Sequence, residues 1–412
     1  MILTLQILFW AAVAIAAFTY VVFPGIIFVR GRLVRKPYTT AEITPPISMI
    51  IAAHNEADNI AAKLDNVLAM DYPREQLEVI VASDGSNDGT NDIVRGYAAH
   101  NVRLLALPRQ GKAPALDAGV AASRGEVLVF SDANSMYHPQ ALRALARPFA
   151  DPEVGGVAGN QVYTSKKSES LSGEGEQSYW SFDRKLKQSQ SKSGNAISAT
   201  GAIYAIRRAL FRGVPVGVTD DFAVSTDVIV QGYRLVFAPD AIAYEPVAGT
   251  GGVEFGRKTR VITRGLRGVL VVRRELLNPF RYGFYAFQLF SHKVLRRLVV
   301  FPLLLLLIVS PLLWNSGLIY QIATVAQLAF YGCALIGMLM KNSRLGRLKI
   351  FTIPFFFCMV NVASLIAAIN LIRGHRIDFW EPQRQDRPVS AVADQAAQSN
   401  AVSERSQAVS RQ

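Results

Sequence analysis

The sequence predicts an α/β protein, a central domain on a mostly parallel sheet flanked by transmembrane helices. Three observations predict it. Half of the 412 residues are hydrophobic and only 18% are charged, below the roughly 25% of an average soluble domain. The apolar residues gather at the two ends of the chain, while the middle has the composition of a soluble domain. Within that middle, short β-branched runs alternate with segments of helical period, the pattern of a parallel sheet covered on both faces. A disordered chain is excluded, and so is a small disulfide-stapled one.

The N-terminal segment comes first. Leu5–Val29 is almost uninterrupted Leu, Ile, Val, Ala and Phe, long enough to cross a ~30 Å hydrocarbon core as a helix. It is too long for a signal-peptide core, lacks a basic leader and is followed by no A-x-A site. Arg30, Arg32, Arg35 and Lys36 follow it directly. By the positive-inside rule that end is cytoplasmic, with the N-terminus outside and the central domain inside.

Strand and helix signals then alternate. Ile47–Ala52 reads as a buried strand, Asn55–Met70 as a helix, Leu77–Ala82 as a second strand and Asp92–His100 as a second helix. Arg103–Leu107, Ala113–Ser123 and Glu126–Phe130 continue as strand, helix and strand. Ligands of such sheets bind beyond the carboxyl ends of the strands. His54, Asn55 and Glu56 follow the first strand, Asp84 the second and Asp132 the fourth. An acid after a strand is often only a turn residue or a helix cap; acids at several strand ends converging on one cleft point to function.

The C-terminal part holds three more apolar runs, about Leu298–Trp314, Leu318–Met340 and Ile350–Ile372. Arg296 and Arg297 precede the first, and Lys341, Arg344, Arg347 and Lys349 lie between the second and third. Four crossings from an outside N-terminus put the tail outside. Arg373, His375 and Arg376, after the last run, point inside. Either the last run does not fully cross, or the charge rule fails there. Phe280–Leu298 mixes aromatic and basic residues, which suits a helix lying in the membrane interface or an ordinary core helix. Residues from about Pro382 to Gln412 read as a disordered tail. The expected segments are 1–40, 41–265, 266–297, 298–376 and 377–412.

The net charge of +13 can serve anionic lipid or phosphorylated substrates. No nucleic-acid-binding motif is present. Cys333 and Cys358 both sit in apolar runs, so a disulfide framework is excluded. His54, His100, His138, His292 and His375 are scattered without zinc spacing, and no Walker A motif occurs.

Several motifs in order carry a family resemblance. They are Ala53-His54-Asn55-Glu56, Ser83-Asp84-Gly85-Ser86-Asn87-Asp88-Gly89-Thr90, Gly111-Lys112-Ala113-Pro114-Ala115-Leu116 and Ser131-Asp132-Ala133-Asn134. Thr200-Gly201-Ala202-Ile203-Tyr204, Thr219-Asp220-Asp221-Phe222 and Gln231-Gly232-Tyr233-Arg234 follow. Each is weakly specific; their order over about residues 47–265 is much more so. The chain resembles a membrane-bound family 2 glycosyltransferase with the GT-A fold, similar to the polysaccharide-synthase branch of chitin, hyaluronan and poly-N-acetylglucosamine synthases.

The resemblance implies roles. His54, Glu56, Asp84 and Gly85 match the loops that hold the base and ribose of a nucleotide-diphosphate sugar, and Lys112 pairs with its phosphates. Asp132 matches the first acid of the family's D-x-D, which carries Mg²⁺ or Mn²⁺. Asn134 stands where the second acid is common and is the weaker ligand. Asp221 matches the general base of inverting transfer, with Asp220 its alternative; both acids can also simply serve the positive end of the helix that follows. Thr200 and Gly201 match the acceptor-side loop. Arg257-Lys258-Thr259-Arg260-Val261 falls where processive synthases show Q-x-x-R-W. Gln and Trp are absent; Arg257 and Arg260 remain for diphosphate or for anionic lipid.

The resemblance therefore implies an inverting glycosyltransferase at the cytoplasmic face of the cell membrane, acting on a growing glycan or a lipid-linked acceptor. A single-addition lipid glycosyltransferase is the near alternative, and a nucleotide-sensing membrane scaffold or transporter the distant one. No apolar run carries the acid expected of a coupled transporter.

Overall fold

A computed structural model describes residues 1–164, 171–246, 251–340, 343, 345–346 and 348–375, with the backbone alone at 164, 171–179, 246 and 251–254. Lys341, Arg344, Arg347, Arg376 and the expected tail lie outside the described residues. The chain forms two compact units, one built on a sheet and one of helices.

The N-terminal apolar run folds as α1 (Ile2–Ala17) and α2 (Phe23–Leu33), joined by a π-helical turn at Phe18–Val22. The chain then enters the sheet unit with β1 (Ile47–Ala53), α3 (Ala57–Leu68), β2 (Leu77–Asp84), α4 (Thr90–Arg95), β3 (Val102–Leu107) and α5 (Lys112–Ala122). β4 (Val127–Asp132), β5 (Met136–Tyr137), α6 (Ala141–Ala146) and β6 (Val154–Thr164) follow. All seven residues of β1 are buried because both faces of the sheet are covered. Ile60, Leu64 and Val67 put one apolar stripe of α3 against the sheet. The helix expected at Asp92–His100 is shorter. It starts at Thr90 and stops at Gly96, and a 3₁₀ turn at Ala98–His100 ends in Asn101 at φ 60°.

Helix α7 (Leu171–Lys192) belongs to the helical unit, and the chain returns to the sheet for β7 (Tyr204–Arg207), α8 (Asp220–Val230) and β8 (Arg234–Pro246). The sheet order is β3-β2-β1-β4-β7-β6-β8-β5. Its first four strands are parallel, as expected. β7 then runs antiparallel to both β4 and β6, β8 pairs β6 in parallel, and β5 pairs β8 antiparallel. The sheet is therefore mixed, and the reversal lies beside β4, the strand that ends in Asp132.

The helical unit continues with α9 (Gly251–Leu276), α10 (Pro279–Tyr282), α11 (Phe284–Leu289), a π-helical turn at Phe290–Leu295, α12 (Arg296–Leu298), α13 (Val300–Leu312), α14 (Leu318–Leu339) and α15 (Lys349–Ile372). Phe280–Leu298 is thus not one helix: Gly283, at φ 52°, separates α10 from α11. Among the described residues, three helices, Ile2–Leu33, Leu318–Leu339 and Lys349–Ile372, are long and apolar enough to cross a membrane. Phe284–Leu298 and Val300–Leu312 reach that length only as a pair bent by 47°, which makes up to four. The helical unit also buries an ionic cluster. His292 Nε2 and Arg296 Nη1 each lie 3.3 Å from Asp183 Oδ1, and Gln190 Nε2 lies 3.2 Å from His292 Nδ1.

Candidate active site

The candidate site lies in the sheet unit, at the carboxyl ends of β1, β2 and β4, where a parallel sheet presents its loops. Two groups of residues meet there.

The first group is a stitched set of loops. The carbonyl of Asp84 is 2.7 Å from His54 Nδ1. Asn55, at φ 54°, donates its N–H to Ser86 Oγ and accepts from Asn87 N–H. Glu56 N–H donates to Thr90 Oγ1 at 2.9 Å and Ala57 N–H to Asp88 Oδ2 at 3.1 Å. Gly85 sits at φ 65°, and a Cβ there would lie 2.8 Å from Arg109 Cβ, so only glycine fits. Burial lifts the Glu56 carboxyl to about 7, helped by the Asp132, Asp88 and Asp58 charges and opposed by the bond from Asn59. Asp84 is buried and fully engaged. It accepts from Gln110 N–H at 2.6 Å, from Gly111 N–H at 3.0 Å and from Arg109 Nη1 at 2.7 Å. Its carboxylate shapes the turn that leads into Lys112.

The second group is charged. Lys112 is the first residue of α5, and its Nζ lies 2.7 Å from Asp132 Oδ1 and 3.2 Å from Asp220 Oδ1. Burial pulls the Lys112 ammonium down, but the carboxylates of Asp132 and Asp220, with Asp221 behind them, outweigh it and hold the ammonium above its ordinary range. Asp220 and Asp221 form the first turn of α8, where the helix dipole favours negative charge. Thr219 takes the N-cap position without a side-chain cap bond. Gly201 lets the chain close over Asp132, since a Cβ there would lie 3.1 Å from Oδ2.

Tyr204 was not singled out by its sequence context. Paired with Phe130 across β4 and β7, it stacks on that ring at 4.7 Å. It is fully buried, and its hydroxyl has no hydrogen-bond partner among the described residues. Burial raises its pKa, and the charges of Asp220, Asp221 and Asp132 raise it further. The Thr200 hydroxyl is also buried and without a hydrogen-bond partner among the described residues. Unpaired buried hydroxyls are costly, and ones beside carboxylates are poised for a polar ligand. Arg257 and Arg260 lie on α9 in the helical unit, with Lys258 between them 4.8 Å from the Phe356 ring.

Among the described residues, no three His, Cys, Asp or Glu side chains could hold an ion unaided. Asp132 and Asn134, half-buried in the turn after β4, offer oxygen ligands and leave the remaining positions to other groups. That suits a hard divalent cation held mostly by substrate phosphates.

Residues 48–214 match the family model described as Glycosyl transferase family 2. The poly-beta-1,6-N-acetyl-D-glucosamine synthase of Staphylococcus aureus (strain MSSA476) is 28% identical over 242 residues, 56% of this chain and 57% of that protein. The Staphylococcus epidermidis protein of the same name is 27% identical over 241 residues, 57% of each chain. The chain thus spans little more than half the length of these relatives. Among solved structures, a mannosyltransferase from Pyrobaculum calidifontis, in complex with GDP-Man and Mn²⁺, aligns over 90% of this chain and 100% of its own. Its TM-score is 0.68 at 24% identity. Sheet and loops together define a GT-A glycosyltransferase domain. Residues 48–214 carry the Glycosyl transferase family 2 domain.

Proposed function

We propose that the protein is an inverting glycosyltransferase that takes a sugar from a nucleotide-diphosphate donor at the cytoplasmic face of the cell membrane. The acceptor is a growing glycan or a lipid-linked sugar, in the synthesis of a cell-surface polysaccharide. One observation carries this reading: Lys112 lies between Asp132 and Asp220 at the carboxyl edge of the sheet, with Asp221 beside them. That arrangement puts a cation for a diphosphate next to a carboxylate for an acceptor hydroxyl.

The loops around His54, Glu56 and Gly85, braced by Asp84, form the side for the base and ribose. Asp132, with Asn134 as the weaker ligand, would hold Mg²⁺ or Mn²⁺. When bound, such an ion neutralises charge on the departing diphosphate. Lys112 then turns toward the phosphate oxygens. Asp221 takes the proton of the acceptor hydroxyl as that oxygen attacks the anomeric carbon opposite the diphosphate, a contribution of about 10²–10⁴-fold. Thr200 and Gly201 border the acceptor. Gln and Trp are absent around Arg257 and Arg260, so the aromatic platform that processive synthases offer an acceptor terminus is missing there.

The test is a donor screen on detergent-purified protein with Mn²⁺, reading nucleotide release and the mass of lipid and polymer products. Mn²⁺-dependent release from one donor with a glycosylated product is the expected result. Nucleotide binding with no turnover on any donor would favour a sensing scaffold and overturn the proposal.

A further inference from the structure

Lys63 is the most unexpected side chain in the sheet unit. It sits on the apolar stripe of α3 between Ile60, Leu64 and Val67, and none of its surface is exposed. Its ammonium donates to the Ser135 carbonyl at 2.5 Å and lies 3.8 Å from the centre of the Tyr137 ring. Burial pushes the ammonium down to about 7 against the pull of Asp132 and Glu245. A charge taken out of water is costly, and a leucine would fill an apolar stripe without that penalty.

What Lys63 holds is informative. Ser135 is fixed at three atoms. Its carbonyl accepts from Lys63, its hydroxyl donates to Glu245 Oε1 at 2.6 Å, and its N–H donates to the Asp132 carbonyl at 3.3 Å. Glu245, on β8, is held in turn by Gln161 of β6. One turn of α3 further on, Asn66 grips Tyr137 twice. It accepts from Tyr137 N–H at 2.7 Å and donates to the Tyr137 carbonyl at 3.0 Å. The four residues from Asp132 to Ser135 therefore leave β4 and end in a clamp built from α3, β6 and β8. Both candidate metal ligands, Asp132 and Asn134, lie inside that span.

We infer that Lys63, with Asn66 beside it, is a positioning residue that sets the Asp132–Asn134 turn for the divalent cation. This rests on the glycosyltransferase reading. Residues that fix metal ligands from behind commonly control affinity by 10–100-fold when removed.

The test measures Mn²⁺ binding by electron paramagnetic resonance on the full-length protein, with UDP or GDP present, beside a melting curve. Lys63→Met keeps the length of the side chain and removes the donor. The expected result is a Mn²⁺ dissociation constant raised about tenfold or more, with melting unchanged or higher because a desolvated charge is gone. Should that variant fail to fold, Asn66→Ala serves in its place. It deletes the neighbouring clamp without touching a charge, and the same weakening of Mn²⁺ is expected. A folded variant with wild-type Mn²⁺ affinity, or melting lost while affinity stays, overturns the inference. If the wild-type protein binds no Mn²⁺ with either nucleotide, the metal-dependent reading fails instead, and the inference goes with it. The wild-type measurement separates the two failures.

Discussion

The ammonium of Lys112 lies 2.7 Å from Asp132, the acid that ends β4, and reaches Asp220 of α8 at 3.2 Å with the same nitrogen. One cation thus pairs with carboxylates from two different elements, the end of β4 and the first turn of α8. Removing it leaves facing carboxylates without a counter-charge.

Lys112→Met should therefore destabilise the metal-free protein by about 2–3 kcal/mol, the scale of a broken partly buried ion pair. Mn²⁺ should restore much of that loss, because it can neutralise Asp132 in place of the lysine. Melting curves in chelator and in Mn²⁺ check this. An equal loss in both buffers would mean that Lys112 and the metal do not share a carboxylate.

Glu56 gives a pH dependence with a defined sign. Its folded carboxyl is raised from 4.5 to about 7 by burial, so the folded state binds that proton more tightly than the unfolded chain. The resulting stability is fully present below about pH 4.5 and is lost as pH rises through 7. Glu56→Gln never ionises. It should be more stable than wild type above pH 7, by up to about 3 kcal/mol, and the difference should shrink as pH falls toward 4.5. Melting or denaturant curves across pH 4–8 measure it; a pH-independent difference would place the carboxyl in water.

Topology is testable without activity. A reporter fused after Arg35, or inserted near Asp151 in the exposed turn before β6, should read cytoplasmic, because Arg30, Arg32, Arg35 and Lys36 follow the first apolar helix. Nucleotide-activated donors are cytoplasmic, so a reading from the opposite side at either point would remove the proposed chemistry.

Tyr204 offers a separable test. Its hydroxyl is buried without a partner among the described residues, so Tyr204→Phe removes no hydrogen bond from the resting protein and should melt at or above the wild-type temperature. If the hydroxyl meets a bound sugar or phosphate, kcat/KM should fall about tenfold, close to one hydrogen bond. Unchanged kinetics would leave Tyr204 as packing against Phe130.

The first half of the sheet was readable from the sequence because β1 to β4 are short, β-branched and separated by amphipathic helices. The second half was harder. β6 opens Val154-Gly155-Gly156-Val157-Ala158-Gly159, small residues with little period. Such residues are needed where Tyr233, Leu210 and Ile203 pack onto the strand. Asp84 and Asp132 stood out as acids at strand ends, and Lys112 and Asp221 only through the motifs that carry the family resemblance. Tyr204 did not, because it sits in an apolar run and only the antiparallel pairing with Phe130 turns it toward the acids. Arg109 was hidden in the loop that Asp84 organises. Lys63 does leave a signal, a lysine at helical spacing on the apolar stripe of α3.

The last prediction separates the neighbouring acids of α8. Asp220 is buried and paired with Lys112 at 3.2 Å, so its charge is already engaged by that ammonium. Asp221 is half-buried, and its charge bears on both Lys112 and Tyr204. If Asp221 is the base, Asp221→Asn keeps shape and hydrogen bonding but cannot take the proton. Turnover should fall by about 10²-fold or more, with donor KM nearly unchanged. Asp220→Asn should do the reverse: it frees Lys112 from one partner, shifting donor KM severalfold while turnover falls less. Were both acids only charges at the positive end of α8, each loss would cost at most about 1 kcal/mol of stability and spare turnover. Steady-state kinetics on both variants, with melting curves to confirm folding, decide it. A larger turnover loss in Asp220→Asn than in Asp221→Asn would move the base to Asp220, and Lys112 would then be the residue that releases it.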